Sequence, residues 1–132
     1  MVAQIAAQLL DQLRNVCLKP TRREAGDLVR LQNGCGRDVY LTDGPAGIVL
    51  YREGVDAPIT VPAFPVPGPI DPVGAGDSTS AGITLARAAQ ASPEMAAAFG
   101  NLVASITIQQ LGTTGTASPA QVRDRWRQLQ AS

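Results

Sequence analysis

The residues best suited to chemistry lie together in Asp71-Pro72-Val73-Gly74-Ala75-Gly76-Asp77-Ser78. Small residues leading into a helix create a concavity in which main-chain N–H groups and the positive end of the helix dipole face an anion. Glycine suits positions 74 and 76 because a side chain there would hold an anion's oxygens away from the main chain. Asp77 falls in the first helical turn, beside that anion. A carboxylate so placed can take the proton of an attacking hydroxyl while the amides stabilise charge on a phosphoryl group in transfer. No Gly-Lys-Ser/Thr follows, so this is not a P-loop. The plainer alternative is a helix start with a well-placed Asp and small residues suited to close packing.

The surrounding composition narrows the choices. A chain of 132 residues is enough for one domain with a real core. Hydrophobic residues at 45% and charged residues at 17% describe a folded chain and argue against disorder. Eleven Lys and Arg balance eleven Asp and Glu, so no net field favours nucleic acid or an anionic membrane, and neither is expected as a partner. Histidine is absent, which removes Ser-His-Asp and Cys-His catalysis, helical His zinc sites and imidazole proton shuttles together. Cys17 and Cys35 are too widely spaced for a CxxC pair, and two cysteines in such a chain suggest a reducing compartment. No apolar run approaches the ~18–20 residues of a membrane span, and the start lacks a basic-then-apolar signal. A cytoplasmic protein is the expectation.

The elements that must position the cluster follow from periodicity and caps. Val2, Ile5, Leu9 and Leu13 recur at helical spacing, which predicts an amphipathic helix over residues 1–14. Val16-Cys17-Leu18 reads as a short buried strand, ended by Lys19-Pro20. Thr21-Arg22-Arg23-Glu24 fits a capping box that opens a helix to about Leu31, followed by a turn at Asn33-Gly34-Cys35-Gly36. Val39–Thr42, Gly47–Tyr51 and Ile59–Val61 read as strands, the last two forming a hairpin across Glu53-Gly54. Six prolines between Pro58 and Pro72 make that stretch extended. Helices are predicted from Gly74 to about Ala91, from Ser92-Pro93-Glu94 onward, and from Ser118-Pro119-Ala120-Gln121 onward. Met95, Phe99, Leu102, Val103 and Ile106 mark the buried stripe of the second; Val122, Trp126 and Leu129 are the apolar positions of the third. The order implies a layered α/β domain with at least one parallel crossover.

Residues 71–77 resemble the signature of the ribokinase/PfkB sugar kinase family, Asp-Thr-x-Gly-Ala-Gly-Asp, with Pro72 in place of Thr. By that resemblance Asp77 is the catalytic base, and the amides of Gly74, Ala75, Gly76 and Asp77 form the anion hole. Thr42-Asp43-Gly44-Pro45-Ala46-Gly47 is similar to the family's Thr-x-Gly-x-x-Gly turn, which contacts the nucleotide phosphates. A hydroxyl and glycine amides at a strand's carboxyl end suit that role; a plain strand-to-strand turn is the alternative. Gly100-Asn101-Leu102-Val103-Ala104-Ser105 resembles the helix beside the adenosine moiety, with Asn101 at the nucleotide-contacting position. A solvent-facing Asn on an otherwise buried helix is the competing account.

Gly112-Thr113-Thr114-Gly115-Thr116 falls where family members wrap backbone carbonyls around a monovalent cation. Asp71 and the Val73 carbonyl would complete that site, with Thr107, Gln110, Gly112 and Thr116 as further candidates, and K+ suits such an oxygen-only shell. A flexible loop between helices would look the same. Lys19-Pro20-Thr21-Arg22-Arg23-Glu24 resembles Lys-Pro-Asn-x-x-Glu, whose Asn and Glu help organise phosphate and Mg2+. Thr21 replaces the Asn while Glu24 is retained, and a capping box explains both without a ligand.

The resemblance implies a ribokinase-like three-layer α/β/α (Rossmann-like) sheet. It also implies transfer of a phosphoryl group from ATP, with Mg2+ and with K+ as an accessory cation, to a hydroxyl of a small-molecule sugar or sugar-like substrate. It reaches nearly the whole chain but only the C-terminal, ATP-binding part of the family. The N-terminal half of family members supplies the sugar pocket and a β-sheet lid, so no residue is nominated here for sugar specificity. Arg30 to Asp38 is also short where relatives often carry another helix. One partial domain over residues 1–132 is therefore expected, from a truncated gene, a fragment or a split protein. An uncovered sheet edge and apolar face would favour poor stability, a homo-oligomer or association with an N-terminal half. The competing functional readings are a non-catalytic nucleotide-binding module and an inactive remnant of such a kinase.

Overall fold

β-Branched and aromatic residues build three strands in the first part of the chain: β1 (Val39–Thr42), β2 (Ile48–Tyr51) and β3 (Ile59–Val61). The computed structural model describes residues 9, 12–26 and 35–132, in two compact units, Met1–Val61 and Pro62–Ser132. In the first unit the strands pair antiparallel in the order β1-β2-β3, with Leu41 opposite Val49 and Val49 opposite Thr60. The other edge of β1 receives an extended segment running parallel to it. Tyr40 N–H donates to the Leu18 carbonyl at 2.8 Å and Thr42 N–H to the Pro20 carbonyl at 3.0 Å, with bridges Leu18–Val39 and Thr21–Thr42. The parallel connection implied by the element order is present.

The strand expected at Val16-Cys17-Leu18 lies further along. Val16 and Cys17 are exposed, and the pairing runs from Leu18 to Thr21. Pro20 does not interrupt it, because only its missing N–H is unavailable to the ladder and its carbonyl still accepts. Leu18, Ala25, Cys35, Val39 and Leu41 form the core, with Val49 and Tyr51 packed against it. Tyr40 alternates to the opposite face and is also buried, so β1 is buried on both faces.

The helix α1 (Arg22–Ala25) opens as the capping box predicts, the Glu24 carboxylate accepting the Thr21 N–H at 2.9 Å. This first stretch ends at Ala25, where Gly26 turns the chain with φ +58°, and the rest of the helix expected to Leu31 lies outside the described residues. The turn expected at Asn33-Gly34 lies outside the described residues. So does most of the helix expected over 1–14; of its described residues Leu9 is helical, Gln12 lies in a turn, and Leu13 and Arg14 are not helical.

In the second unit, the proline-rich stretch forms no regular element up to Pro72 and bends at Gly68, where φ is +81°. Three helices follow: α2 (Ala75–Ala88), α3 (Pro93–Thr107) and α4 (Pro119–Ala131). Both predicted Ser-Pro caps form. Ser92 Oγ accepts the Met95 N–H at 3.2 Å, and Ser118 Oγ accepts the Gln121 N–H at 3.2 Å while Gln121 returns to the Ser118 N–H at 2.7 Å.

The buried face of α3 differs from the expected stripe. Leu102 and Ile106 are buried, but Met95 is 65% exposed, and Ala96, Ala97 and Gly100 take the interior positions. The cause is close helix packing: a Cβ added to Gly82 of α2 would lie 2.9 Å from the Gly100 Cα, an approach that only small residues permit. Val122 and Leu129 of α4 are half-buried, and Trp126 meets Phe64 edge-on with ring centroids 6.4 Å apart. Arg125 donates from Nε to Ser105 Oγ at 3.2 Å and from its Nη2 to the Pro65 carbonyl, fastening the proline-rich stretch to α3 and α4. No helix among the described residues is long and apolar enough to cross a membrane.

Candidate active site

The start of α2 has the form that the residues at 71–78 predict. Gly74 is its N-cap in the left-handed conformation (φ +80°, ψ 0°), and the helix proper begins at Ala75. The Ala75 N–H donates to the Pro72 carbonyl at 3.0 Å and the Ser78 N–H to the Gly74 carbonyl at 3.0 Å. Between them, the amides of Gly76 and Asp77 have no acceptor within the helix, the ordinary condition of a first turn. The helix dipole adds positive potential at the same end. Asp77 stands in that turn with its side chain exposed.

A loop far along the chain backs this cradle. The Asp71 carboxylate accepts the Val73 N–H through Oδ1 at 3.0 Å and the Gly112 N–H through Oδ2 at 2.9 Å, while the Asp71 N–H donates to the Ile108 carbonyl at 2.7 Å. Thr114 presses on Gly74: a Cβ there would lie 2.8 Å from the Thr114 carbonyl oxygen. Gly115 approaches the buried Thr107 as closely, at 2.6 Å from its carbonyl oxygen by the same measure. Gln110 grips Thr116 by both main-chain groups, donating from Nε2 to its carbonyl at 2.6 Å and accepting its N–H through Oε1 at 3.0 Å.

Beside the start of α2 the Asp71 carboxylate joins Val73 to Gly112, while Gln110 and Thr116 bond each other and Thr107 meets Gly115 in the same loop. A carboxylate together with main-chain carbonyls is a hard, oxygen-only donor set, which fits an alkali cation and not a soft metal. Asp71 would supply the charge, with Val73 and the loop carbonyls completing the shell. The Gln110 carboxamide is engaged with Thr116 at both ends, and the Thr116 carbonyl is already an acceptor.

The other candidates lie in the first unit. Thr42 ends β1 and is followed by Asp43, a 3-10 turn at Gly44–Ala46, and Gly47 at φ +101°. Local bonds close the turn, Asp43 N–H to the Gly47 carbonyl at 2.9 Å and Gly47 N–H to the Gly44 carbonyl at 3.1 Å. Thr42 Oγ1 reaches the Pro20 carbonyl at 3.4 Å. The turn is thus a hairpin connection, placed at the carboxyl ends of two parallel segments, where open α/β sheets take ligands.

Arg22 carries no signal in the sequence, yet it reaches the same turn. Its Nη2 donates to Asp43 Oδ2 at 2.9 Å, and that hydrogen bond, aided by the carboxylate's charge, pushes the guanidinium pKa further up. The two residues are 21 apart in the chain, so only the fold brings them together. Glu24 has one oxygen on the Thr21 N–H. Among the described residues no three His, Cys, Asp or Glu side chains converge. Asn101 is not solvent-facing: it is buried on α3, and its Nδ2 donates to the Pro62 carbonyl at 3.1 Å.

Comparison with known proteins places this architecture. The fold is that of the ribokinase-like α/β kinases. A probable sugar kinase from Rhizobium etli matches with a TM-score of 0.78 at 24% identity, covering 97% of this chain and 42% of that one. A ribokinase from Thermotoga maritima matches with a TM-score of 0.75 at 21% identity, covering 92% of this chain and 44% of that one. The model of the pfkB family carbohydrate kinases matches residues 6–121, and the chain belongs to that family. It is 34% identical over 114 residues to the bifunctional protein HldE of Caulobacter sp. (strain K31), covering 73% of this chain and 23% of that protein. The chain thus spans less than half the length of these relatives.

Proposed function

We propose that this chain is the ATP-binding part of a PfkB-type kinase, transferring the γ-phosphoryl group of ATP to a hydroxyl of a sugar or sugar-like substrate. The observation that carries the reading is the start of α2, where outward amides at Gly76 and Asp77 stand beside an exposed carboxylate. In this reading the main chain from Gly74 through Ala75 and Gly76 to Asp77 is the anion hole, stabilising charge as the phosphoryl group moves. Asp77 accepts the proton of the attacking hydroxyl. In the first unit Thr42 and the Gly44 amide, in the turn from Asp43 to Gly47, would hold the nucleotide phosphates; in the second unit Asn101 would contact the nucleotide. Mg2+ would neutralise phosphate charge, with Glu24 helping to orient it, and Asp71 and the loop carbonyls would hold K+. Sugar specificity belongs to an N-terminal half that relatives carry, either in the same polypeptide or as a partner. A cytoplasmic location belongs to the same reading, and the two cysteines, Cys17 exposed and Cys35 buried, suit a reducing compartment.

The test is to incubate the purified chain with ATP, Mg2+, K+ and a panel of sugars, alone and grafted onto the sugar-binding half of a homologous kinase. Asp77→Asn should lower turnover of the graft about 10²–10⁴-fold, the usual contribution of a general base, with ATP affinity held within about threefold. Turnover near the parental rate would remove Asp77 from its role. Because the chain covers 42% of the sugar kinase it resembles, a nucleotide-binding module is the second reading. ATP binding with no turnover in either form would favour it.

A further inference from the structure

We infer that Gln110 is a positioning residue: its carboxamide is a clasp that closes residues 110–116 into the loop backing the anion cradle. Its functional consequence rests on the kinase reading above, whereas its geometry does not. A primary amide carries the same donor and acceptor as a peptide unit, so it can pair with both main-chain groups of one residue as a neighbouring strand would. Gln110 does this to Thr116, at 2.6 Å and 3.0 Å. The Gln110 N–H is itself held by the Thr107 carbonyl at 3.1 Å, so the clasp is anchored to the end of α3.

What the clasp closes is the segment that touches the cradle. Within it, Gly112 donates to Asp71 and Thr114 lies against Gly74, while just before it Ile108 accepts the Asp71 N–H. Leu111 to Thr114 are otherwise exposed and make no regular structure. Opening the loop at Gln110 frees Gly112 and Thr114 to drift, and with them the two supports of Asp71 and Gly74. Residues 72–77 then lose the fixed path that aims the Gly76 and Asp77 amides. Gln110 acts through these neighbours and need not touch a nucleotide.

The experiment uses the full chain, isotopically labelled, without nucleotide. Gln110→Ala should speed amide exchange at Thr116 and Gly112 about tenfold, the scale of one lost hydrogen bond. It should also move the Gly76 and Asp77 amide resonances while leaving exchange in the middle of α2 and α3 unchanged. Gln110→Glu keeps the acceptor for the Thr116 N–H and loses the donor, so Thr116 stays protected while the Gly112 effect persists in part. That variant carries the test if the alanine variant does not fold. Exchange at Gly112 and resonances at Gly76 within error of wild type in both variants would overturn the inference. So would a K+-dependent shift of residues 112–116 that vanishes in Gln110→Ala without any change in K+-free exchange, because that is the behaviour of a ligand. ATP affinity is read last, and Gln110→Ala should weaken it about three- to tenfold. Failure of the wild-type chain to bind ATP would count against the kinase reading alone, since the amide effects are measured without nucleotide.

Discussion

Two glycine turns stand at the two groups of candidate residues, and they are built on different terms. Gly44, in the turn between β1 and β2, has φ +52° and open space where a side chain would go. Gly74, at the start of α2, has φ +80° and Thr114 pressed against it. The first turn is closed by bonds among Asp43, Gly44, Ala46 and Gly47, all within five residues of sequence. The second depends on a loop whose Gly112 lies 41 residues from the Asp71 it binds. One glycine meets a demand of its own dihedral angles; the other also meets a demand of the tertiary fold. A turn of the first kind can form locally, while a cradle of the second kind exists only when the whole unit has folded.

The largest effect should come where both demands meet. Gly74→Ala is expected to destabilise residues 62–132 by about 3 kcal/mol, adding left-handed strain to overpacking against a backbone that cannot retreat cheaply. Gly74→Asn should be no better, because Asn tolerates the dihedral angles but brings the same Cβ. Amide exchange in α2 and α3 measures both, and recovery in the Asn variant would mean that Thr114 yields.

Gly82 isolates the steric half of the comparison. It sits in mid-helix with no unusual backbone angle, and a Cβ there meets the Gly100 Cα at 2.9 Å. Gly82→Ala raises intrinsic helix propensity by about 1 kcal/mol yet should still destabilise the α2–α3 pair, by about 2 kcal/mol net. Urea denaturation followed through both helices decides the sign. A stabilised variant would show that the helices can separate freely, and the argument from close approach would fall.

What could be read from the sequence divides along the same line. The Ser92 and Ser118 caps, the hairpin of β2 and β3 and the helix start after Gly74 are announced by residues a few positions apart, and each of these elements formed as expected. The signals that misled were local ones overridden from a distance or by a single residue. Met95 fits a helical stripe, but the Gly82–Gly100 contact turns a different, smaller-residue face inward. The capping box at Thr21 announced one helix to about Leu31, but Gly26 breaks it after Ala25. Asn101 is buried because the Pro62 carbonyl needs a donor there, which no spacing reveals. The Arg22–Asp43 pair and the Gln110 clasp are likewise contacts of the folded chain, and the second was visible only as a polar residue in the right loop. Cluster residues were legible; what holds them in place was not.

The smallest expected effect tests the dihedral half alone. Gly44→Ala has room for its methyl group and meets only the left-handed angle, so it should cost about 1 kcal/mol in the first unit. Gly44→Asn should recover most of that, since a short polar side chain adopts this conformation more readily. The contrast between the two Asn variants is the sharper measurement: rescue at 44 with none at 74 means that the two turns differ in the space around them. Equal outcomes at both positions would mean that dihedral strain alone governs each glycine, and that the loop behind Gly74 adapts to whatever the cradle presents.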